Sequence, residues 1–281
     1  MAKRKSRWRP EGRADTGPKT GLWLYGTHPV LAALANPERR VQRLVATTET
    51  AENLGSRSMA ETYPGLDRPK PEILSRSEIE RLLPAGAVSQ GLAALVDPLP
   101  VVELEQIIAD TLDATSALLV VLDQPNDPQN IGAVLRSAAA FGAKALVFPR
   151  DHVPEPSGSL AKAASGALER VPLVAVTNLA RALGAIKDGG YWVVGLDSEG
   201  TRPLHQVDMT GKVALILGSE GSGLRRLTRE SCDHLARIPI VESAESLNLS
   251  AAAAIALHEW SRRESGPAED EARLAATESG V

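Results

Sequence analysis

Residues 122–142 read LDQPNDPQNIGAVLRSAAAFG, and the way this stretch changes character along its length decides the fold. An apolar strand, Ala117 to Leu122, runs into a polar loop of Asp, Asn, Pro and Gln, which opens directly into a helix. That helix is expected from Ile131 to Phe141, with Gly142 as its stop. Asn130 is placed as the N-cap, where its side chain accepts from a first-turn N–H that has no partner within the helix. On a 3.6-residue period Ile131, Val134, Leu135, Ala138 and Phe141 share one face, which must be the buried one. Arg136 points away from it, between the methyl groups of Ala133 and Ala140. A cation with such small neighbours leaves room for a large anion, although taken alone it is more often a solvated surface arginine.

Outward from this stretch, strand and helix alternate. Strands are expected at 117–122, 144–148, 171–176, 191–196, 213–217 and 235–239, and helices at 131–141, 158–165, 178–187, 224–232 and 248–263. Val213 to Leu217 is apolar throughout, the pattern of a parallel strand covered on both faces, so residues 117–263 are expected to form an α/β layered domain on a parallel sheet. Towards the N-terminus, strands are expected at Leu22–Tyr25, Val41–Thr47, Glu72–Leu74 and Gly91–Val96. Helices there are expected at Val30–Leu34 and Glu49–Met59, with a third, ending at Leu83, opened by the capping-box spacing of Ser77 to Glu80. Asp97-Pro98-Leu99-Pro100 marks the boundary. The expected organisation is a disordered basic arm (1–20), a small α/β unit (21–97), a connector with one helix (98–116), the larger domain (117–263) and a disordered acidic tail (264–281).

Composition sets the outer limits. The chain has 281 residues, 43% hydrophobic and 23% charged, as in a soluble globular protein. No run approaches the roughly 18 apolar residues of a membrane span, and the basic N-terminus lacks the apolar segment of a secretory signal. A single cysteine, Cys232, excludes an internal disulfide framework and a Cys-rich metal site and points to a reducing cytoplasm. The five histidines are not at metal-ligand spacing, so no zinc or iron site is expected. Net charge is −4, but residues 1–20 carry +5 and residues 264–281 carry −4. A basic arm on an acidic body suits a tether to a polyanion such as RNA. Aromatics make up only 3%, which argues against a sheet of stacking rings as the RNA surface.

Open parallel sheets bind ligands beyond the carboxyl ends of their strands, and two further loops fall at such ends. Leu217-Gly218-Ser219-Glu220-Gly221-Ser222-Gly223 lets backbone approach a ligand, but its spacing is neither a dinucleotide nor a P-loop fingerprint. Its acid disfavours phosphate and can accept hydrogen bonds from Arg136 or a ribose. In Ile238 to Ser250, Ser246 or Asn248 can cap the next helix, whose Ala251–Ala254 start can pack closely on a ligand or on an identical helix.

Together these stretches resemble the SpoU/TrmH branch of the SPOUT methyltransferases. The resemblance rests on Asp127-Pro128-x-Asn130-x-Gly132-Ala133-x-x-Arg136-x-Ala138, on Leu217-Gly218-x-Glu220-Gly221-x-Gly223, and on Ile238-Pro239 followed by Ser246-Leu247-Asn248-x-Ser250. Ser165-Gly166-Ala167-x-Glu169 and Val176-Thr177-Asn178-Leu179 also match, and Tyr25-Gly26-Thr27-His28-Pro29-Val30 looks like the start of the family's L30e-like substrate-binding domain. The resemblance implies a SPOUT domain with a deep trefoil knot, a homodimer, and 2′-O-methylation of structured RNA with S-adenosylmethionine as donor, most similar to enzymes acting on a guanosine of large-subunit rRNA. It also implies cofactor contacts through the backbone of Gly218, Ile238 and Leu247, and a catalytic set of Asn130, Arg136, Glu220, Ser246 and Asn248. One departure is Ser89-Gln90-Gly91, where many relatives carry His before Gln-Gly.

The resemblance implies that Arg136 is the base; a guanidinium is almost always protonated, which favours a holder of phosphate and developing alkoxide instead, and the sequence does not separate the two roles. Competing readings are a tRNA ribose methyltransferase, a non-catalytic RNA-binding module and a nucleotide-dependent oxidoreductase, the last lacking its glycine fingerprint.

Overall fold

The structure is a computed structural model that describes residues 21–54, 59–152, 157–219, 221–241, 243 and 246–278. The N-terminal unit runs β1 (Leu22–Tyr25), α1 (Thr27–Ala35), β2 (Val41–Ala46), α2 (Thr48–Asn53), α3 (Met59–Thr62), β3 (Glu72–Ile73), α4 (Arg76–Leu82) and β4 (Leu92–Val96). Its sheet has the order β1-β4-β2-β3, with β4 antiparallel to both neighbours and β3 parallel to β2. The connector carries α5 (Leu104–Asp110). The larger unit follows as β5 (Ala117–Leu122), α6 (Pro128–Ala140), β6 (Ala145–Pro149), α7 (Gly158–Ala164), β7 (Leu173–Val176), α8 (Leu179–Asp188), β8 (Trp192–Leu196), β9 (Arg202–Pro203), β10 (Lys212–Leu217), α9 (Arg226–Glu230), β11 (His234–Arg237) and α10 (Leu249–Glu278).

All seven strands of the second sheet are parallel, in the order β7-β6-β5-β10-β8-β11-β9. The apolar runs behave as their composition requires: every residue of β5 and β6 is buried. Residues of β5 alternate between two cores, Leu118, Val120 and Leu122 on one face, Leu119 and Val121 on the other.

Several boundaries differ from the sequence reading, each for a local reason. Helix α6 begins at Pro128 with Asp127 as N-cap, its side chain accepting from Gln129 N–H. Proline suits the first turn because its missing N–H would have no partner there, so Asn130 sits inside the helix and is not its cap. The capping box of α4 is Ser75 with Glu78, two residues earlier than the Ser77–Glu80 spacing suggested. The expected helix 49–59 is described as α2 and α3, with residues 55–58 outside the described set. Strand β9 is only two residues long, too short for any periodicity to reveal. Helix α10 stays helical in backbone to Glu278, through most of the stretch expected to be a disordered acidic tail. The expected basic arm lies outside the described residues.

The two units share one hydrophobic core, in which Leu24, Val30 and Leu34 pack with Leu160, Ala164 and Ala167. Above it lies a buried ion pair. Arg39 and Glu169, with side chains 2% and 3% exposed, meet at 2.7 Å. Arg39 Nε also donates to Glu169 at 3.0 Å, its Nη1 donates to the Asp97 carbonyl at 2.6 Å, and Asn36 Nδ2 donates to Glu169 Oε2 at 2.8 Å. Every partner of the Glu169 carboxylate thus comes from the other unit, among the described residues. The Ser165–Glu169 motif is a dock rather than part of the active edge.

Removing one member of a buried pair strands the other charge. Glu169→Ala is therefore expected to lower unfolding free energy by about 3–5 kcal/mol, measured by urea denaturation. A change below 1 kcal/mol would mean that the units do not depend on this pair.

Candidate active site

The parallel register brings four strand ends into one row. Leu122, Leu217, Leu196 and Ala236 are neighbours across β5, β10, β8 and β11, at roughly 4.8 Å per strand. The chain leaves the sheet from this row at Asp123, Gly218 and Asp197, and one residue further along at Ile238, after Arg237 has paired with β9; this is the edge where ligands of such sheets bind.

At the β10 exit the chain folds back on itself. Ser219 and Gly223 exchange both backbone hydrogen bonds at 3.1 Å, with Gly221 and Gly223 at φ of 90° and 65°. Gly218 tolerates no side chain, since a Cβ there would lie 2.2 Å from the Gly223 carbonyl carbon. Backbone is therefore the surface that this turn presents near Gly218. Glu220 lies outside the described residues.

A buried carboxylate fixes the turn to β5. Asp123 is fully buried; its Oδ2 accepts from Arg225 N–H at 2.7 Å and its Oδ1 from Arg225 Nε at 2.7 Å. The sequence reading passed over this pair. The available signal was a charged residue directly after an all-apolar strand, a position that exposes or pairs its charge.

The first and third motifs meet through two amides. Asn248 Oδ1 accepts from Ser250 N–H at 2.9 Å and Ser250 Oγ at 2.6 Å, while the Asn248 carbonyl accepts from Ala252 N–H at 3.0 Å. Asn248 therefore caps α10, and the two donors fix which way its amide faces. Its Nδ2 donates to Asn130 Oδ1 at 3.2 Å. The shift of the α6 cap to Asp127 is what releases Asn130 for this contact.

Helix α6 is held from two sides. Against α7 it packs through Gly132, where a Cβ would lie 2.5 Å from the Ala163 Cβ. Against α10 it packs through Phe141, whose ring centroid is 6.0 Å from that of His258. Ile131, Val134, Leu135 and Ala138 are buried, and Arg136 is exposed on the opposite face, as the periodicity predicts.

Of the predicted residues, Asn130 and Asn248 are joined directly, and Gly218 stands in the row of strand ends. Ile238 directly follows the β11 exit, and it and Leu247 are half-buried, while Ser246 is exposed just ahead of the α10 cap. Arg136 lies on the helix that carries Asn130, with no hydrogen-bond partner among the described residues. Cys232 offers no nucleophile: burial pushes its thiol up to about 12, and its Sγ donates to the Thr228 carbonyl at 3.2 Å. No helix among the described residues is long and apolar enough to cross a membrane.

Comparison with known proteins identifies relatives over most of the chain. Residues 117–258 match the SpoU rRNA Methylase family, and residues 23–102 match the family described as RNA 2′-O ribose methyltransferase substrate binding. The chain is 39% identical to the 23S rRNA (guanosine-2′-O-)-methyltransferase RlmB of Coxiella burnetii, over 87% of this chain and 97% of that protein. It is also 39% identical to the protein of the same name from Pseudomonas aeruginosa, over 85% and 96%. Among solved structures, the SpoU methyltransferase AviRb of Streptomyces viridochromogenes, in complex with AdoMet, superposes with a TM-score of 0.70 at 24% identity, covering 86% of this chain and 90% of that one. An RNA methyltransferase of the TrmH family from Porphyromonas gingivalis superposes with a TM-score of 0.65 at 26% identity, covering 87% and 90%.

The two functions of Asn248 can be separated. Asn248→Asp retains an oxygen that caps α10 but loses the N–H donated to Asn130. It is expected to keep thermal stability, since an acid is favourable at a helix N-terminus, while methyl transfer falls by at least tenfold. Asn248→Ala is expected to lose about 1 kcal/mol of stability as well. Full activity in Asn248→Asp would leave the Asn130 contact without a role.

Proposed function

We propose that this chain, which belongs to the SpoU rRNA Methylase family, methylates the ribose 2′-hydroxyl of a guanosine in 23S rRNA, with S-adenosylmethionine as methyl donor. The observation that carries the reading is the Asn130–Asn248 bond at the carboxyl edge of the sheet, on the helix that also bears Arg136. When bound, the cofactor supplies an electrophilic methyl group. Gly218, Ile238 and Leu247 are the residues that would hold it. The fit is supported by the side-chain-free turn at Gly218 and by two half-buried apolar side chains, a mix of backbone polarity and apolar surface suited to a nucleoside that carries a sulfonium-linked amino-acid tail.

Arg136 acts on the RNA. A guanidinium is a poor base and a good holder of anions, so its part is electrostatic. It binds the phosphate next to the target ribose in a bidentate fork and stabilises the negative charge that builds on the ribose oxygen as it attacks the methyl carbon and releases its proton to solvent. Asn130 and Asn248 hold α6 and the start of α10 in fixed register, and so position Arg136 and the nucleotide. Ser246, exposed beside the cap, contacts the nucleotide, and Glu220 orients the arginine.

The enzyme works as a cytoplasmic homodimer. Support comes from apolar side chains left uncovered beside the site: Ile240 and Val241 after β11, and Ile255 on α10, are 41%, 70% and 42% exposed. The return of the chain from β11 to pack α10 on α6 is read as the crossing that closes a deep trefoil knot.

Arg136→Ala is expected to cut turnover on 23S rRNA by a factor of at least 100 while changing S-adenosylmethionine affinity less than threefold, since one lost transition-state donor is worth about 2.7–4 kcal/mol. Arg136→Lys is expected to recover little, because an ammonium cannot form the fork. Labelled-methyl transfer and calorimetry measure the two quantities. Near-normal turnover by Arg136→Ala would overturn the assignment.

A further inference from the structure

A second concave site lies in the N-terminal unit, formed by residues that the chemistry above does not use. It is a cleft of about 560 Å³, with Leu31, Leu54 and Leu92 among its apolar residues and Thr27, Thr50 and Gln90 among its polar ones. That size falls within the range of small-molecule sites.

One wall is backbone under strain. Gln90 adopts a φ of 54°, left-handed for a residue with a side chain, a conformation that costs roughly 1–3 kcal/mol and persists only where neighbours enforce it. Three contacts enforce it here. Thr27 N–H donates to Gln90 Oε1 at 3.1 Å, and Thr50 Oγ1 donates to the Gln90 carbonyl at 3.5 Å. Ser89 is buried, and its Oγ accepts from Gly91 N–H at 3.2 Å. The Thr27 bond occupies the carbonyl half of the Gln90 amide. What the side chain still has to offer is its NH2, which has no partner among the described residues.

The same loop is tied to the catalytic unit. Lys162 of α7 donates to the Val88 carbonyl and stands 5.6 Å from the centre of the Tyr25 ring. Burial lowers the pKa of this lysine. Since α6 packs on α7, the cleft wall and the helix of Arg136 belong to one continuous stack.

We propose that the cleft holds one unpaired base of the RNA, recognised along its edge by the Gln90 NH2 and the threonine hydroxyls. The inference rests on the RNA methyltransferase reading and adds a specificity subsite to it. The half-buried Leu31 and Leu54 offer apolar surface to the face of a base, and sequence-specific RNA recognition works largely through unpaired bases whose edges are hydrogen-bonded. Charge favours a base over a phosphate. Among the described lining residues Glu49 and Glu80 stand against Arg76, so the cleft offers acceptors to a base with ring N–H or amino groups.

Gln90→Gly tests the proposal without straining the loop, because glycine accepts this φ readily. With the full chain and unmodified large-subunit rRNA, it is expected to raise KM for RNA roughly three- to tenfold, the worth of one neutral hydrogen bond. Turnover at saturating RNA should stay within twofold. Ultraviolet cross-linking of the unaltered chain to the same RNA, followed by peptide mapping, should give an adduct within residues 85–92, and this readout needs no turnover. An unchanged KM together with adducts confined to other peptides overturns the cleft. Absence of any methyl transfer by the unaltered chain, with the adduct present, overturns the enzymatic reading instead.

Discussion

The register of the parallel sheet is the constraint on which the site depends. Because β5, β10 and β8 end level with one another and β11 runs one residue further, four unrelated loops leave the sheet side by side after Leu122, Leu217, Leu196 and Arg237. None of these loops is a site alone. The Gly218–Gly223 turn exposes backbone, and the Asp123–Arg225 pair anchors that turn to the neighbouring strand. A shift of one residue in any strand would turn its side chains to the other face and displace the exit from the row.

Onto this edge the structure adds a lateral brace. Helix α6 is pressed against α7 through Gly132 and against α10 through Phe141, while the Asn130–Asn248 bond fixes its first turn. Helix α7 in turn joins the N-terminal unit through Lys162, and Glu169 completes the connection as a buried carboxylate whose described partners all come from that unit. The N-terminal unit and the helix that carries Arg136 are thus joined through α7. A binding unit joined to its catalytic unit by linker alone would leave the distance between base and ribose undefined.

Much of this was legible in the residues. The apolar run 117–122, the period-3.6 face of α6 and the stop at Gly142 carry the larger unit, because burial on both faces of a parallel sheet leaves so plain a pattern. Arg136 was visible as a cation opposite that face. The cap of α6 was not: Asn130 and Asp127 are both good caps, and only the preference of Pro128 for a first turn distinguishes them. The Asn248 contact was hidden by the same ambiguity, since a cap and a partner for Asn130 call for the same side chain. Asp123–Arg225 and Arg39–Glu169 join residues more than 100 positions apart, and no local pattern encodes such pairs. Gln90 was hidden for another reason: nothing in its identity announces a left-handed backbone.

The central claim is that the edge built by these strand ends serves methylation of an rRNA ribose. It is tested most directly by mapping ribose methylation in total RNA from cells with and without this gene. The account predicts that one 2′-O-methylguanosine disappears from 23S rRNA on deletion and returns with the unaltered chain but not with Arg136→Ala. An unchanged 23S rRNA beside an altered tRNA would contradict it.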